Sequence, residues 1–190
     1  MGNEQEEYLD NYIANRFTMA ILPEVHKGRL YSRVIEVEKE LFVKLSPQDI
    51  VNRSCSYFGS SYEGRKAGTK DLMGITHKPP IVIDPGNYMF FFPTSSSSRR
   101  QCAWISHAHI LQYAAADFDN TEIFFTNGSS ETISVSSTSF ENQLYRTAQL
   151  RTIITARIEE EHRKMNLLLF PKEKQTNLIY EQIIRELNKH

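Results

Sequence analysis

Apolar residues recur at two different spacings along the chain, and the spacing changes where the backbone is expected to change. FTMAIL (17–22), RLYSRVIEV (29–37) and ELFVKL (40–45) alternate or cluster apolar residues over strand lengths, with turn signals at Pro23 and Gly28, which predicts an antiparallel meander. SPQDIVNRSCSYFG (46–59) differs: Ile50, Val51, Cys55 and Phe58 recur at helical intervals, Ser46 is placed to cap, Pro47 suits a first helical position and Gly59 closes the segment. ITHKPPIVID, NYMFFFP, QCAWISH, AHILQYAA and TEIFFTNGSSETISV return to strand patterning, and Asn127-Gly128 signals a two-residue hairpin loop. Phe140, Leu144, Ala148, Ile154 and Ile158 then predict a helix over 139–162, entered through a capping box of Thr138 and Glu141. Pro171 interrupts the chain, and Ile179, Ile183 and Leu187 share one face of a final helix over 176–188. The order predicts an α+β fold: a largely antiparallel β-sheet with a short central helix and two C-terminal helices.

Composition adds size and compartment. At 190 residues, 40% hydrophobic and 24% charged, the chain has enough apolar material for one substantial core without a cofactor or staple. One domain over 1–165 is expected, followed by a C-terminal segment and terminal helix over 166–190. MGNEQEEYLD has no cationic start and no apolar segment, so a secretory signal is not expected. The longest apolar runs, MFFF (89–92) and NLLLF (166–170), fall well short of the ~20 residues that span a membrane. A cytoplasmic chain follows, with Cys55 and Cys102 as two reduced thiols.

The catalytic signals are thin. GSSYEGRKAGT (59–69) approaches a nucleotide-binding loop, but Gly64 is followed by Arg65 and Lys66 where such a loop needs Lys and then Ser or Thr, and a helix rather than a buried strand precedes it. Neither a GxSxG elbow nor a cysteine-nucleophile signature occurs. His107 and His109, two apart in ISHAHI, would share one face of a strand, where Cys102, His77 or Asp117 would complete a metal site. A metal-dependent hydrolase on these histidines is the enzymatic alternative; a structural or solvent-facing role is the simpler one.

Charge distribution says more than the net charge of -1. Residues 52–101 carry 7 cations against 3 anions, whereas the flanks on both sides are acidic. Arg53, Arg65, Lys66, Lys70, Lys78, Arg99 and Arg100 lie beside glycines and hydroxyl residues (Ser60, Ser61, Gly64, Gly68, Thr69 and Ser95 to Ser98). Small residues let a backbone approach closely, so the set suits a nucleic-acid phosphate chain better than catalysis.

Five blocks within this frame resemble the ComK family of competence transcription factors: IVNRSCSYFGSSYEGRKAGT (50–69), THKPPIVIDPGNYMFFFPT (76–94), QCAWISHAHI (101–110), SFENQLYRTAQLRT (139–152) and LLLFPKE (167–173). The resemblance implies a cytoplasmic, nucleoid-associated activator of DNA-uptake genes that binds paired AT-rich boxes, mainly through the minor groove, as a dimer or tetramer, with RNA polymerase as a further partner. The seven cations above are then the candidate DNA contacts, within a DNA-binding domain over 1–165. The resemblance also implies control of protein level, through capture by a MecA-type adaptor that delivers the chain to the ClpC protease. The adaptor motif would be Leu167, Leu168, Leu169, Phe170 and Pro171; the same run would equally serve as a buried strand.

Overall fold

The computed structural model describes residues 8–169 and 185–186. They belong to two compact units, Met1–Thr152 and Ile153–His190.

The first unit opens with the expected meander. β1 (Tyr8–Leu9) is followed by β2 (Thr18–His26), β3 (Arg29–Glu36) and β4 (Glu40–Val43), with β2, β3 and β4 antiparallel in sequence order and β1 parallel to β4. Gly28 makes the β2–β3 turn at φ 77°. Pro23 does not turn the chain: it lies inside β2, opposite Ser32. It is tolerated there because the other neighbour of β2 pairs only with Ala20 and Ile21, leaving that side of the strand open at Pro23.

Two helices then cover the sheet. α1 (Pro47–Tyr57) is capped as its sequence predicts, the Asp49 N–H donating to Ser46 Oγ, and Gly59 follows it at φ 72°. α2 (Tyr62–Met73) was not anticipated. After it come β5 (Ile81–Asp84), β6 (Met89–Pro93) and β7 (Trp104–Ser106), which complete a seven-stranded sheet in the order β1-β4-β3-β2-β7-β6-β5. β8 (Ile110–Ala116), β9 (Asn120–Phe125) and β10 (Ser130–Ile133) form a second, antiparallel sheet. The Asn127-Gly128 hairpin exists with a loop one residue longer than its dipeptide suggests. Gly128 N–H donates to Phe125 O and Phe125 N–H to Ser129 O, a three-residue loop in which Gly128 alone takes a positive φ, 87°.

Both faces of the large sheet are buried, which explains its continuous apolar runs. Ile21, Val34, Phe91 and Trp104 pack with Ile50, Val51 and Cys55 of α1, while the alternate residues Ala20, Leu22, Ile35, Phe92 and Ile105 pack with Ile123, Phe125, Ile133 and Phe140. Adjacent strand residues thus serve two separate cores. Burial pushes the Cys55 thiol up to about 11 and raises Cys102 as well. Both cysteines should therefore resist alkylation at neutral pH in the native protein and react only once it is denatured, as mass measurement after iodoacetamide treatment would read. An adduct on native Cys55 would contradict its burial.

α3 (Ser137–Leu169) is longer than predicted at both ends. Its start is held by Ser136, whose Oγ accepts from the Ser139 N–H at 3.3 Å, rather than by Thr138. Glu141 instead accepts from the Tyr113 and Tyr145 hydroxyls. In the second unit the helix continues past 162 because Lys164 pairs one turn back with Glu160 and Glu161, and no glycine or proline intervenes before Pro171. Leu167, Leu168 and Leu169 are consequently its last helical residues and not a strand, with Leu168 and Leu169 exposed. Phe170, Pro171 and the helix expected over 176–188 lie outside the described residues, apart from Arg185 and Glu186, which are helical. Among the described residues, no helix is long and apolar enough to cross a membrane.

Candidate nucleic-acid interface

GSSYEGRKAGT is the start of α2 and not a loop. Ser61 Oγ accepts from the Gly64 N–H at 3.0 Å, and Gly74 in the left-handed region closes the helix by donating to Lys70 O. A side chain at Gly64 would bring its Cβ within 3.1 Å of Ser61 Oγ, so glycine there accommodates the cap. Glycines at 64 and 68 weaken helix propensity, and only Tyr62 and Thr69 are buried, which is why periodicity did not show the helix.

Forming this helix separates the cations that the sequence places together. Arg65 is half-buried and its Nη2 donates to Ile83 O at 3.1 Å, tying α2 to β5. Lys66 lies over the Tyr62 ring and pairs with Glu63 at 3.2 Å. An exposed pair of this kind contributes little and yields to a phosphate at small cost. Lys70 is exposed in the last turn of α2, and Arg53 is exposed on α1, where it donates to Asn11 Oδ1.

The remaining three candidates gather around the segment between β6 and β7. Because β7 runs antiparallel to β2 with Ala20 opposite Ile105 and Ile21 opposite Trp104, the chain entering β7 lies toward the β2–β3 turn. Arg100 Nη2 there donates to Gly28 O at 3.4 Å. The contact adds Lys27 and Arg29, both exposed, to Arg99 and Arg100. Sequence reasoning missed these two because the first fifty residues are acidic in sum; the local signal was a turn with a cation on each side of Gly28. Toward α2, Ser97 and Ser98 share a hollow with Tyr62, Glu63 and Lys66. Lys66, the serine loop, Arg99, Arg100 and the β2–β3 turn thus form one continuous basic strip.

A cleft of about 650 Å³ adjoins the strip, reached by Lys78 and Arg99 among the hydroxyls of Thr94, Ser95, Ser96, Ser134 and Ser136. Gln143 holds its wall by donating to Lys78 O at 3.0 Å and Pro93 O at 2.9 Å. Arg33 also lines the cleft, but its guanidinium is occupied by Glu40 and Glu131.

The histidines do not form the arrangement that a strand would give them. Residues His107–His109 make a single 3-10 turn. His109 Nε2 lies 2.8 Å from Arg16 O, whereas His107 is half-buried and its Nδ1 has no hydrogen-bond partner among the described residues. Burial, followed by the nearby Arg151 charge, lowers the His107 pKa, which favours the neutral ring. Among the described residues there is no cluster of three His, Cys, Asp or Glu side chains that would hold a metal ion.

Comparison with known proteins bears on the same region. The ComK protein family matches residues 9–159, which include both sheets but for Tyr8 at the start of β1, and the whole basic strip. The chain belongs to the ComK family. It is also 47% identical over 188 residues to the competence transcription factor of Bacillus subtilis, covering 98% of each chain. No solved structure matches it. The resemblance read from five sequence blocks is therefore correct, and the α+β architecture expected alongside it is the one observed, with two sheets instead of one.

Proposed function

We propose that this ComK-family chain is a transcriptional activator of competence genes that binds paired AT-rich boxes as an oligomer, mainly through the minor groove. The observation that carries the reading is the strip running from Lys66 across Ser97 and Ser98 to Arg99, Arg100 and the Lys27–Arg29 turn. A hairpin end with a cation on either side of a glycine is narrow enough to follow a groove. The narrow minor groove of A-tracts carries enhanced negative potential that draws in Arg and Lys. Lys66, Lys78, Arg99, Arg100, Lys27 and Arg29 are the proposed contacts, with Arg53 and Lys70 at the periphery and Arg65 as the residue that holds α2 in place.

The same reading assigns residues 1–165 to DNA binding and 166–190 to control by a MecA-type adaptor with the ClpC protease. It places the protein at the nucleoid in the cytoplasm, with RNA polymerase as a further partner. The exposed Leu168 and Leu169 at the end of α3 support the adaptor assignment, since an adaptor can reach them without unfolding the first unit.

Footprinting on duplexes with two A/T tracts at varied separation tests the proposal. Protection should vary periodically with separation, repeating about every 10 to 10.5 base pairs as the two boxes return to one face of the helix. Protection indifferent to separation would remove the paired-box reading. Failure to retard any AT-rich duplex at low salt would remove DNA binding altogether.

A further inference from the structure

The geometry points to β8 as the edge through which two copies of this chain associate, pairing antiparallel about a two-fold axis near Ala114 so that their second sheets join into one. The inference gives the oligomer of the proposed function its contact surface and rests on that part of the reading, not on DNA contact.

Among the described residues β8 is an outer strand of its sheet, with β9 on its inner side. From Gln112 to Ala116 it pairs with β9 without interruption, so its other side presents a regular row of backbone donors and acceptors. Natural edges are blunted by charge, proline or shortness, and the other edges here show such features. β1 has two residues, β5 ends in Asp84, and β10 contains Glu131. ILQYAAA, the sequence of β8, has seven residues with neither charge nor proline.

The edge is also complementary to itself. Ala114 and Ala115 are exposed and small, so nothing bulky holds a second strand away. Leu111, a bulged position, is 67% exposed, and Phe118 is 95% exposed with its backbone held at φ 59°. They lie on opposite sides of Ala114, three and four residues away. An antiparallel two-fold at Ala114 sets Leu111 of each copy across from position 117 of the other, one residue from its exposed Phe118. The two Asp117 side chains stay six residues apart along the joined sheet, about 20 Å, which is beyond the ~8–10 Å over which salt leaves surface charges coupled. A closed, isologous dimer results.

Sedimentation velocity of the full chain without DNA tests the assignment. The parent should sediment as a dimer, and Ala114→Lys or Ala114→Glu, each placing like charges against each other at the axis, as monomers with the parent far-UV spectrum. An equimolar mixture of the two variants should recover the dimer, because Lys then meets Glu. A dimer that survives either single substitution places the interface elsewhere and leaves the oligomeric reading standing. A mixture that stays monomeric overturns the two-fold pairing, and a monomeric parent overturns both. Ala115→Lys and Ala115→Glu serve in the same way should the Ala114 variants lose the parent spectrum. Gel retardation of the parent judges DNA binding independently.

Discussion

A chain carrying Lys27→Ala, Arg29→Ala, Arg99→Ala and Arg100→Ala is expected to bind AT-rich duplex on the order of a thousandfold more weakly than the parent at ~0.1 M salt. Its logarithmic salt dependence should be shallower by about 3 to 4, each neutralised phosphate contributing a slope of about -0.9 through released counterions. All four side chains are exposed, so the fold should survive their removal, which among the described residues gives up the Arg100 hydrogen bond to Gly28 O. Arg65→Ala gives the contrasting result. It removes the tie from α2 to β5 and should lower stability while leaving the salt slope at the parent value. A quadruple variant with the parent slope would place the DNA surface elsewhere on the molecule.

Trp104→Ala should leave the protein barely folded. Trp104 is fully buried on the face of the sheet beneath α1 and α2, and its ring meets Tyr62 of α2 edge-on at 5.8 Å between centroids. Removing a buried Trp or Phe to Ala costs about 3–5 kcal/mol, against the ~5–15 kcal/mol that holds a typical domain together. The loss should appear as a lower denaturation midpoint by far-UV circular dichroism, since Trp104 is the only tryptophan and its fluorescence goes with it. Tyr57→Ala, at a position 71% exposed at the end of α1, should move the midpoint by no more than ~0.5 kcal/mol equivalent. Equal effects from the two substitutions would contradict the burial of Trp104.

The elements that local chemistry specifies were legible in the residues. The β2–β3–β4 meander follows from alternation, and α1 from Ser46, Pro47 and the spacing of Ile50, Val51 and Cys55. Pro23 and α2 were misread for opposite reasons. Pro23 is a turn residue by composition, but a strand open on one side has no use for its missing N–H. α2 is poor in apolar spacing, but its Ser61 cap, its Gly74 terminus and the Arg65 bond to β5 hold it. The capping hydroxyl of α3 was placed two residues late, because Ser136, Ser137 and Thr138 are chemically alike and backbone geometry selects among them. His107 and His109 depended on a strand that gives way to a 3-10 turn just before them.

The sequence by itself determined the class of the fold and the family, and it offered cations among hydroxyl residues as candidate phosphate contacts. Periodicity, caps and turn residues act between near neighbours, and ordered blocks of residues identify a family without reference to space. Which cations stand together was decided only in three dimensions. The antiparallel register of β2 with β7 carries Arg99 and Arg100 to Lys27 and Arg29, some seventy positions away in the chain. The Arg65 side chain, adjacent to Lys66 in sequence, is instead drawn inward to Ile83. Phosphate recognition depends on distances through space, and strand pairing between remote segments sets those distances.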